Sequence, residues 1–270
     1  MQDASVIVRD PVWERVRQEA EAILRREPEL APFIDAAVLR APSLEDAIAG
    51  RVAARLADRE LPEKMLRAAF ADALDDDPSL SDVFHADIAA VYDRDPVCDR
   101  LIEPVFYFKG FHALCAHRVA HSLWTRDRRD FALMLQSRVS AALQVDIHPR
   151  VQVGRGIFID HGTGVVIGAT ARIGDDVSLL QGVTLGGTGK EKGDRHPKIG
   201  HGVLVGAGAK ILGNFTIGHC SRIAAGSVVL RPVPPNVTVA GVPAKIVGEA
   251  GCPEPSRSMD QILADLSPAD

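Results

Sequence analysis

No segment of this chain approaches the roughly twenty consecutive apolar residues that a membrane-spanning helix needs, so a membrane protein of that kind is excluded. Its start, Met1-Gln2-Asp3-Ala4-Ser5, lacks the basic residues and apolar stretch of a secretory signal, which predicts a cytoplasmic location. Cysteine is scarce. The four present (Cys98, Cys115, Cys220, Cys252) are far apart, with no C-x-x-C pair. That excludes a disulfide framework or a cysteine-built zinc module and predicts reduced thiols. There is also no excess of positive charge. Lys and Arg number 31 against 36 Asp and Glu, a net charge of -5. A nucleic-acid or anionic-membrane partner is not expected from such a balance. The one basic run, Arg126-Asp127-Arg128-Arg129, reads as a solvated helix end. What is abundant is apolar side chain, 46% of 270 residues, enough for a real core in two domains of ordinary size.

The second half repeats an aliphatic residue every six positions. The series is Ile147, Val153, Ile159, then Ile167, Ile173, Leu179, Leu185, then Ile199, Val205, Ile211, Ile217, Ile223, Val229. Gly often follows directly, as in Ile173-Gly174 and Val205-Gly206. A period of six suits neither a helix nor a simple strand. It suits a β-solenoid in which three hexads, roughly eighteen residues, make one triangular coil. The series breaks twice. Ile159 to Ile167 spans Asp160-His161-Gly162-Thr163-Gly164, and Leu185 to Ile199 spans Gly186 to Lys198. A solenoid accepts insertions only as loops leaving the stack, commonly on its binding face. Both insertions hold a histidine beside charged residues.

Residues 11 to about 144 have helical spacing instead. Trp13, Val16, Ala20, Ile23 and Leu24 make one stripe. Ser43-Leu44-Glu45-Asp46 reads as a capped helix start, and Pro62, Pro78 and Pro96 suit helix beginnings. Longer amphipathic stretches run from Tyr107 to about Trp124 and from Phe131 to Leu143. A bundle of seven or eight helices is expected, serving assembly. His117 and His121 stand one turn apart, but no third ligand is evident, so packing or surface roles are expected. In Tyr92-Asp93-Arg94-Asp95-Pro96, Asp95 reads as a helix cap ahead of Pro. The expected organisation is a helical oligomerisation domain over 1–145, a β-helix over 146–248, and a mobile tail from 249 to 270.

Several strings together resemble the bacterial serine O-acetyltransferase family, from about residue 80 to 248. They are Val145-Asp146-Ile147-His148-Pro149, Asp160-His161-Gly162-Thr163-Gly164, Thr184-Leu185-Gly186-Gly187-Thr188-Gly189-Lys190 and Asp194-Arg195-His196-Pro197-Lys198. Lys109-Gly110-Phe111-His112-Ala113 and Ala240-Gly241-Val242-Pro243-Ala244 add to the likeness. The resemblance implies an α + β chain, a helical domain followed by a left-handed parallel β-helix. It implies acetyl transfer from acetyl-CoA to the hydroxyl of L-serine, the committed step toward cysteine. It implies homotrimers with sites between neighbouring β-helices, paired into hexamers, and feedback inhibition by L-cysteine.

The chemistry can be argued beside the name. A serine hydroxyl needs a base in the transition state. His161 suits that role, since an ordinary imidazole titrates near 6.5. A carboxylate should hold its tautomer and support the imidazolium. Asp146, fifteen residues earlier and so nearly one coil away, is expected almost directly beneath it. The resemblance assigns the same pair. Arg195 is a natural clamp for the substrate carboxylate, and Asp95 and Asp160 are candidates for its ammonium group. The resemblance places those two aspartates and His196 in the serine pocket. It also places backbone around Gly187, Ala207 and Ala225 along the pantetheine arm, while Lys245 is a candidate for the nucleotide phosphates. No permanently bound cofactor and no metal are expected.

Two departures stand out. Several relatives carry Glu where this chain has Ala169. Those that dock onto O-acetylserine sulfhydrylase do so through a terminal Ile, whereas this chain ends in Asp270, which speaks against that partnership. Three rivals are separable. An acetyltransferase for sugars or xenobiotics would not need the helical half or Arg195 beside His196. A metalloenzyme of the γ-carbonic anhydrase type would gather His161, His196 and His201 around zinc. A scaffold would turn over no acyl-CoA.

Overall fold

A computed structural model describes residues 10–189 and 192–261. The helical half begins with α1 (Pro11–Arg26), whose start is capped by Asp10 accepting from the backbone of Val12 and Trp13. Short helical turns and α2 (Ala31–Ile34) lead to α3 (Leu44–Leu56), α4 (Glu63–Asp76) and α5 (Leu80–Arg94). Then come α6 (Ile102–Phe106), α7 (Lys109–Thr125) and α8 (Arg129–Leu143). The eight helices among the described residues of this half match the expected seven or eight. Ser43 caps α3 by accepting from Asp46 N–H at 3.2 Å, as its position before two acids predicts. Pro62 sits at the cap of α4, but Pro96 begins no helix. Asp95 lies at the C-terminal end of α5, where its carboxylate accepts from Val97 N–H in a turn. Reading Asp95 as the cap of a following helix was therefore wrong, because the chain stays irregular until Ile102.

The solenoid starts directly after α8. Three parallel sheets form its faces. Sheet A stacks β1 (Val145–Ile147), β4 (Val165–Ile167), β7 (Thr184–Gly186), β10 (Lys210–Leu212) and β13 (Val228–Val229). Sheet B stacks β2 (Gln152–Val153), β5 (Arg172–Ile173), β8 (Lys198–Ile199) and β11 (Thr216–Ile217). Sheet C stacks β3 (Phe158–Ile159), β6 (Ser178–Leu179), β9 (Leu204–Val205), β12 (Arg222–Ile223), β14 (Val237–Gly241) and β15 (Ala244–Glu249), the last antiparallel. The hexad residues are in register, as with Ile147, Ile167 and Leu185, and point into the solenoid, where burial of branched side chains holds the coils together. Glycines after hexad residues are required by close stacking. A Cβ on Gly206 would lie 2.6 Å from Ala225 N on the next coil.

Two contacts fix the helices on the solenoid. At Gly110, α7 touches β3 so closely that a Cβ would lie 2.0 Å from the Ile159 carbonyl oxygen. The buried pair Arg118–Asp87 joins α7 to α5, and Arg118 also donates to the carbonyl of Gly154 while Asp87 accepts from Ile157 N–H. Past β15 the chain returns to the body. A helical turn, α9 (Pro255–Ser258), lies against α5, with Arg257 paired to Asp93 at 2.7 Å and Ser178 donating to the Ser256 carbonyl. These contacts do not fit a mobile tail beginning at Glu249. The final residues, Asp270 included, lie outside the described residues.

His112 and His117 face the interior of the helical half, where burial pushes each down to about 3. In the unfolded chain each titrates near 6.5, so acid protonates the unfolded state first. Their contribution to stability is complete above about pH 6.5. It is lost as the pH falls toward 3, at about 1.4 kcal/mol per unit for each histidine. Melting curves should therefore show a lower Tm at pH 5 than at pH 7. In His117→Leu that difference should shrink, and an unchanged difference would show that His117 is not the titrating group.

Candidate active site

The first insertion forms the corner between sheets C and A. Gly162 N–H closes a tight turn onto the Asp160 carbonyl, with His161 at φ +55° and Gly162 and Gly164 at φ +74°. A left-handed backbone is uncommon for a residue with a side chain and is held here by its surroundings. Lys109 on α7 donates to Thr163 Oγ1, and Gly164 N–H donates to the Gln144 carbonyl. The His161 imidazole is thereby presented outward, its side chain 72% exposed, with Nε2 3.7 Å from an Asp160 carboxylate oxygen.

Asp146 lies in the middle of β1, and its strand partner on the next coil is not His161. Register places Val166 one coil above Asp146, because the two inserted residues make the first coil longer than eighteen. Asp146 instead follows Gln144 and Val145, on which the His161 corner rests, and it accepts from Gln136 Nε2 at 2.6 Å.

His161, Asp160 and Asp95 share one open cavity of about 650 Å³, walled by Phe158, Tyr107 and Met259. Partial burial raises Asp160 above the usual carboxylate range, the nearby Asp95 adds to this, and His161 opposes it. Two carboxyl groups in one half-buried cavity are suited to a cationic ligand.

The second insertion stands on the corner between sheets A and B. His196 is buried there. Thr170 N–H donates to its Nδ1 at 3.2 Å, and the Thr170 hydroxyl lies 2.7 Å from the same nitrogen. That hydroxyl oxygen accepts from the backbone N–H of Arg195 and of His196, so its own proton is directed to Nδ1. Burial lowers the His196 pKa, helped by Arg195 and Lys198. The ring is thus neutral with its proton on Nε2, a fixed donor. Gly168 leaves the space for it, since a Cβ there would lie 2.0 Å from Nε2. Thr170 and Gly168 were missed by the sequence reading because their role comes from stacking on the next coil, which no linear spacing reveals.

His161 and His196 flank sheet A on opposite sides, as do Ala207 and Gly187. At about 3.3 Å per extended residue the intervening face is roughly 15 Å wide. Ala225 is on the His161 side, and Lys245 is exposed on the edge strand β15. Arg195 is exposed beside His196. His201 occupies the third corner, between β8 and β9, so His161, His196 and His201 do not converge within one chain. No described helix is long and apolar enough to cross a membrane.

Comparisons with known proteins agree with this fold. Residues 12–116 match the family model for the N-terminal region of serine acetyltransferase, and residues 196–231 match bacterial transferase hexapeptide repeats. The chain is 51% identical over 250 residues to a serine acetyltransferase of Salmonella typhimurium, covering 93% of this chain and 92% of that one. A crystal structure of serine acetyltransferase from Brucella abortus in complex with coenzyme A superimposes with a TM-score of 0.89 at 56% identity, over 90% of this chain and 98% of that one. A serine acetyltransferase structure in complex with cysteine superimposes with a TM-score of 0.90 at 47% identity, over 93% and 98% of the two chains. With its helical domain, its hexad solenoid and both histidine-bearing corners, the chain belongs to the serine acetyltransferase family, whose members are acyltransferases.

Proposed function

We propose that this chain transfers acetyl from acetyl-CoA to the hydroxyl of L-serine by direct attack, with His161 as general base. The observation that carries this reading is the cavity where His161 stands beside Asp160 and Asp95. The two carboxyl groups take the substrate ammonium and leave its hydroxyl toward the imidazole. His161 accepts the hydroxyl proton while serine oxygen bonds to the thioester carbon. The tetrahedral intermediate collapses, the carbon–sulfur bond breaks, and the imidazolium returns the proton to the coenzyme A sulfur. Asp146 supports the imidazolium from the strand on which the His161 corner rests.

The remaining substrate-binding groups belong to a neighbouring copy. In one chain His196 and Arg195 are a face of sheet A away from His161, and the base is largely exposed. A second solenoid laid against sheet A would bring Arg195 and the Nε2–H of His196 to the substrate carboxylate. It would also exclude water, which strengthens each of these contacts. Backbone at Gly187 of one copy and at Ala207 and Ala225 of the next would flank the pantetheine arm, with Lys245 toward the phosphates. Sharing of this head-to-tail kind closes into a ring, and we take that ring to be a trimer, with hexamers formed through the helical halves. L-Cysteine shares the ammonium and carboxylate of L-serine, so the same pocket would accept it as an inhibitor. A complex with O-acetylserine sulfhydrylase is not part of this reading.

The test is thiol release from acetyl-CoA with and without L-serine. Serine-dependent release should fall by about 10²- to 10⁴-fold in His161→Ala. Asp146→Asn should lower kcat with little change in the KM for serine, whereas Asp160→Asn should mainly raise that KM. Release with a sugar but not with serine would refute the substrate assignment. A second variant probes the other corner. Gly168→Ala should displace the His196 ring and lower kcat/KM for serine by about 100-fold while far-ultraviolet circular dichroism stays unchanged. Unchanged kcat/KM would remove His196 from the pocket.

A further inference from the structure

The third corner of the solenoid, away from the histidines of the proposed site, carries its own cluster. His201 and His219 are one coil apart, and their rings stack with centroids 4.9 Å apart at 18°. Cys220 follows His219 at φ +54°, its N–H bonded to the His201 carbonyl. Its Sγ lies 3.9 Å from His201 Nε2. One ligand atom from each of His201, His219 and Cys220 falls within 4.8 Å of the others. Both histidines are exposed and the cysteine is half-buried, so an ion can reach them from solvent.

We propose that His201, His219 and Cys220 bind a divalent metal ion of the zinc class. Two imidazoles and a thiolate match zinc in ligand type. Bonds of about 2.0 Å to nitrogen and 2.3 Å to sulfur place tetrahedral ligand atoms about 3.5 Å apart. The observed spacing closes to that by side-chain rotation alone, because the backbone already stacks the two histidines. The returning segment after β15 brings further donors. Binding would take Cys220 as the thiolate and release its proton. Glu254 lines the same cavity as His201 and Cys220, so its carboxylate is the candidate for a fourth ligand, and α9 between it and Met259 leads to the wall of the His161 cavity. The ion would therefore pin the C-terminal segment to the solenoid.

The experiment is titration of the purified full chain with Co²⁺, followed by displacement with Zn²⁺. The expected result is one cobalt per chain with a thiolate-to-cobalt charge-transfer band and tetrahedral visible bands. Cys220→Gly, which suits the left-handed backbone, should abolish the charge-transfer band. His219→Ala should weaken binding by about 100-fold or more, since one of three protein ligands is gone. Circular dichroism of both variants should match the parent chain. Cobalt binding without a thiolate band, or binding unchanged in both variants, would overturn the proposal. Neither result depends on catalysis, so failure here leaves the acetyltransferase reading intact.

Discussion

Chains carrying His161→Ala and chains carrying His196→Ala, each nearly inactive alone, are expected to recover activity when unfolded and refolded together. In a one-to-one mixture about a quarter of the interfaces should pair an intact His161 with an intact His196, from random assortment around a closed ring. The reason is the placement of the two insertions on opposite corners of sheet A. Neither histidine can reach the other inside one chain. Any site that uses both therefore draws them from different copies. Serine-dependent thiol release measured before and after co-refolding reads the outcome directly. Recovery near a quarter of the parent activity supports a site shared between copies. No recovery, with trimers still formed by sedimentation, would confine the chemistry to one chain and remove His196 from it.

The second large effect concerns the joint between the two halves. Arg118→Met is expected to destabilise the chain by about 3–5 kcal/mol, because it leaves a buried carboxylate without its partner. Asp87 is fully buried and makes two hydrogen bonds with Arg118, at 2.7 and 2.9 Å. Burial alone raises its pKa, and Arg118 opposes that rise. Without the guanidinium the carboxyl would fold protonated. Folding of the variant would then weaken progressively as the pH rises above about 4, where the unfolded Asp87 ionises while the buried one stays protonated. Asp87→Leu combined with Arg118→Met should recover part of the loss, since no charge stays buried. Recovery should be incomplete, because Ile157 N–H and the Gly154 carbonyl lose partners. Urea unfolding at fixed chain concentration tests this, and a shift under 1 kcal/mol in Arg118→Met would refute the assignment. Since this pair seats α5 and α7 on the first coil, thiol release should fall with the loss of stability.

Much of this architecture is legible in the linear chain because stacking demands repetition. Every coil must present an aliphatic residue inward at the same place, so Ile147 through Val229 announce the solenoid. The insertions announce themselves as breaks in that period, and both prove to carry the histidines of the proposed site. The helix starts are legible where capping is local, as at Ser43. Cross-coil contacts are not legible. Thr170 orients His196 from 26 residues away, and Gly168 matters only because an imidazole from the next coil lies over it.

The fate of Asp146 shows the boundary clearly. Sequence separation suggested a place beneath His161, but the inserted residues lengthen the coil and put Val166 in that register. The C-terminal segment is another case. Its Pro and Ser content suggested mobility, yet Arg257, Ser256 and Asp260 have partners on α5 and on the solenoid. The sequence by itself determined the period, the two halves and which histidines stand in the breaks of the period, because these follow from local spacing and residue chemistry. Tertiary structure alone decided which corner each histidine occupies. That placement depends on loop lengths and coil register summed along the chain, and it is why one chain cannot bring His161 and His196 together.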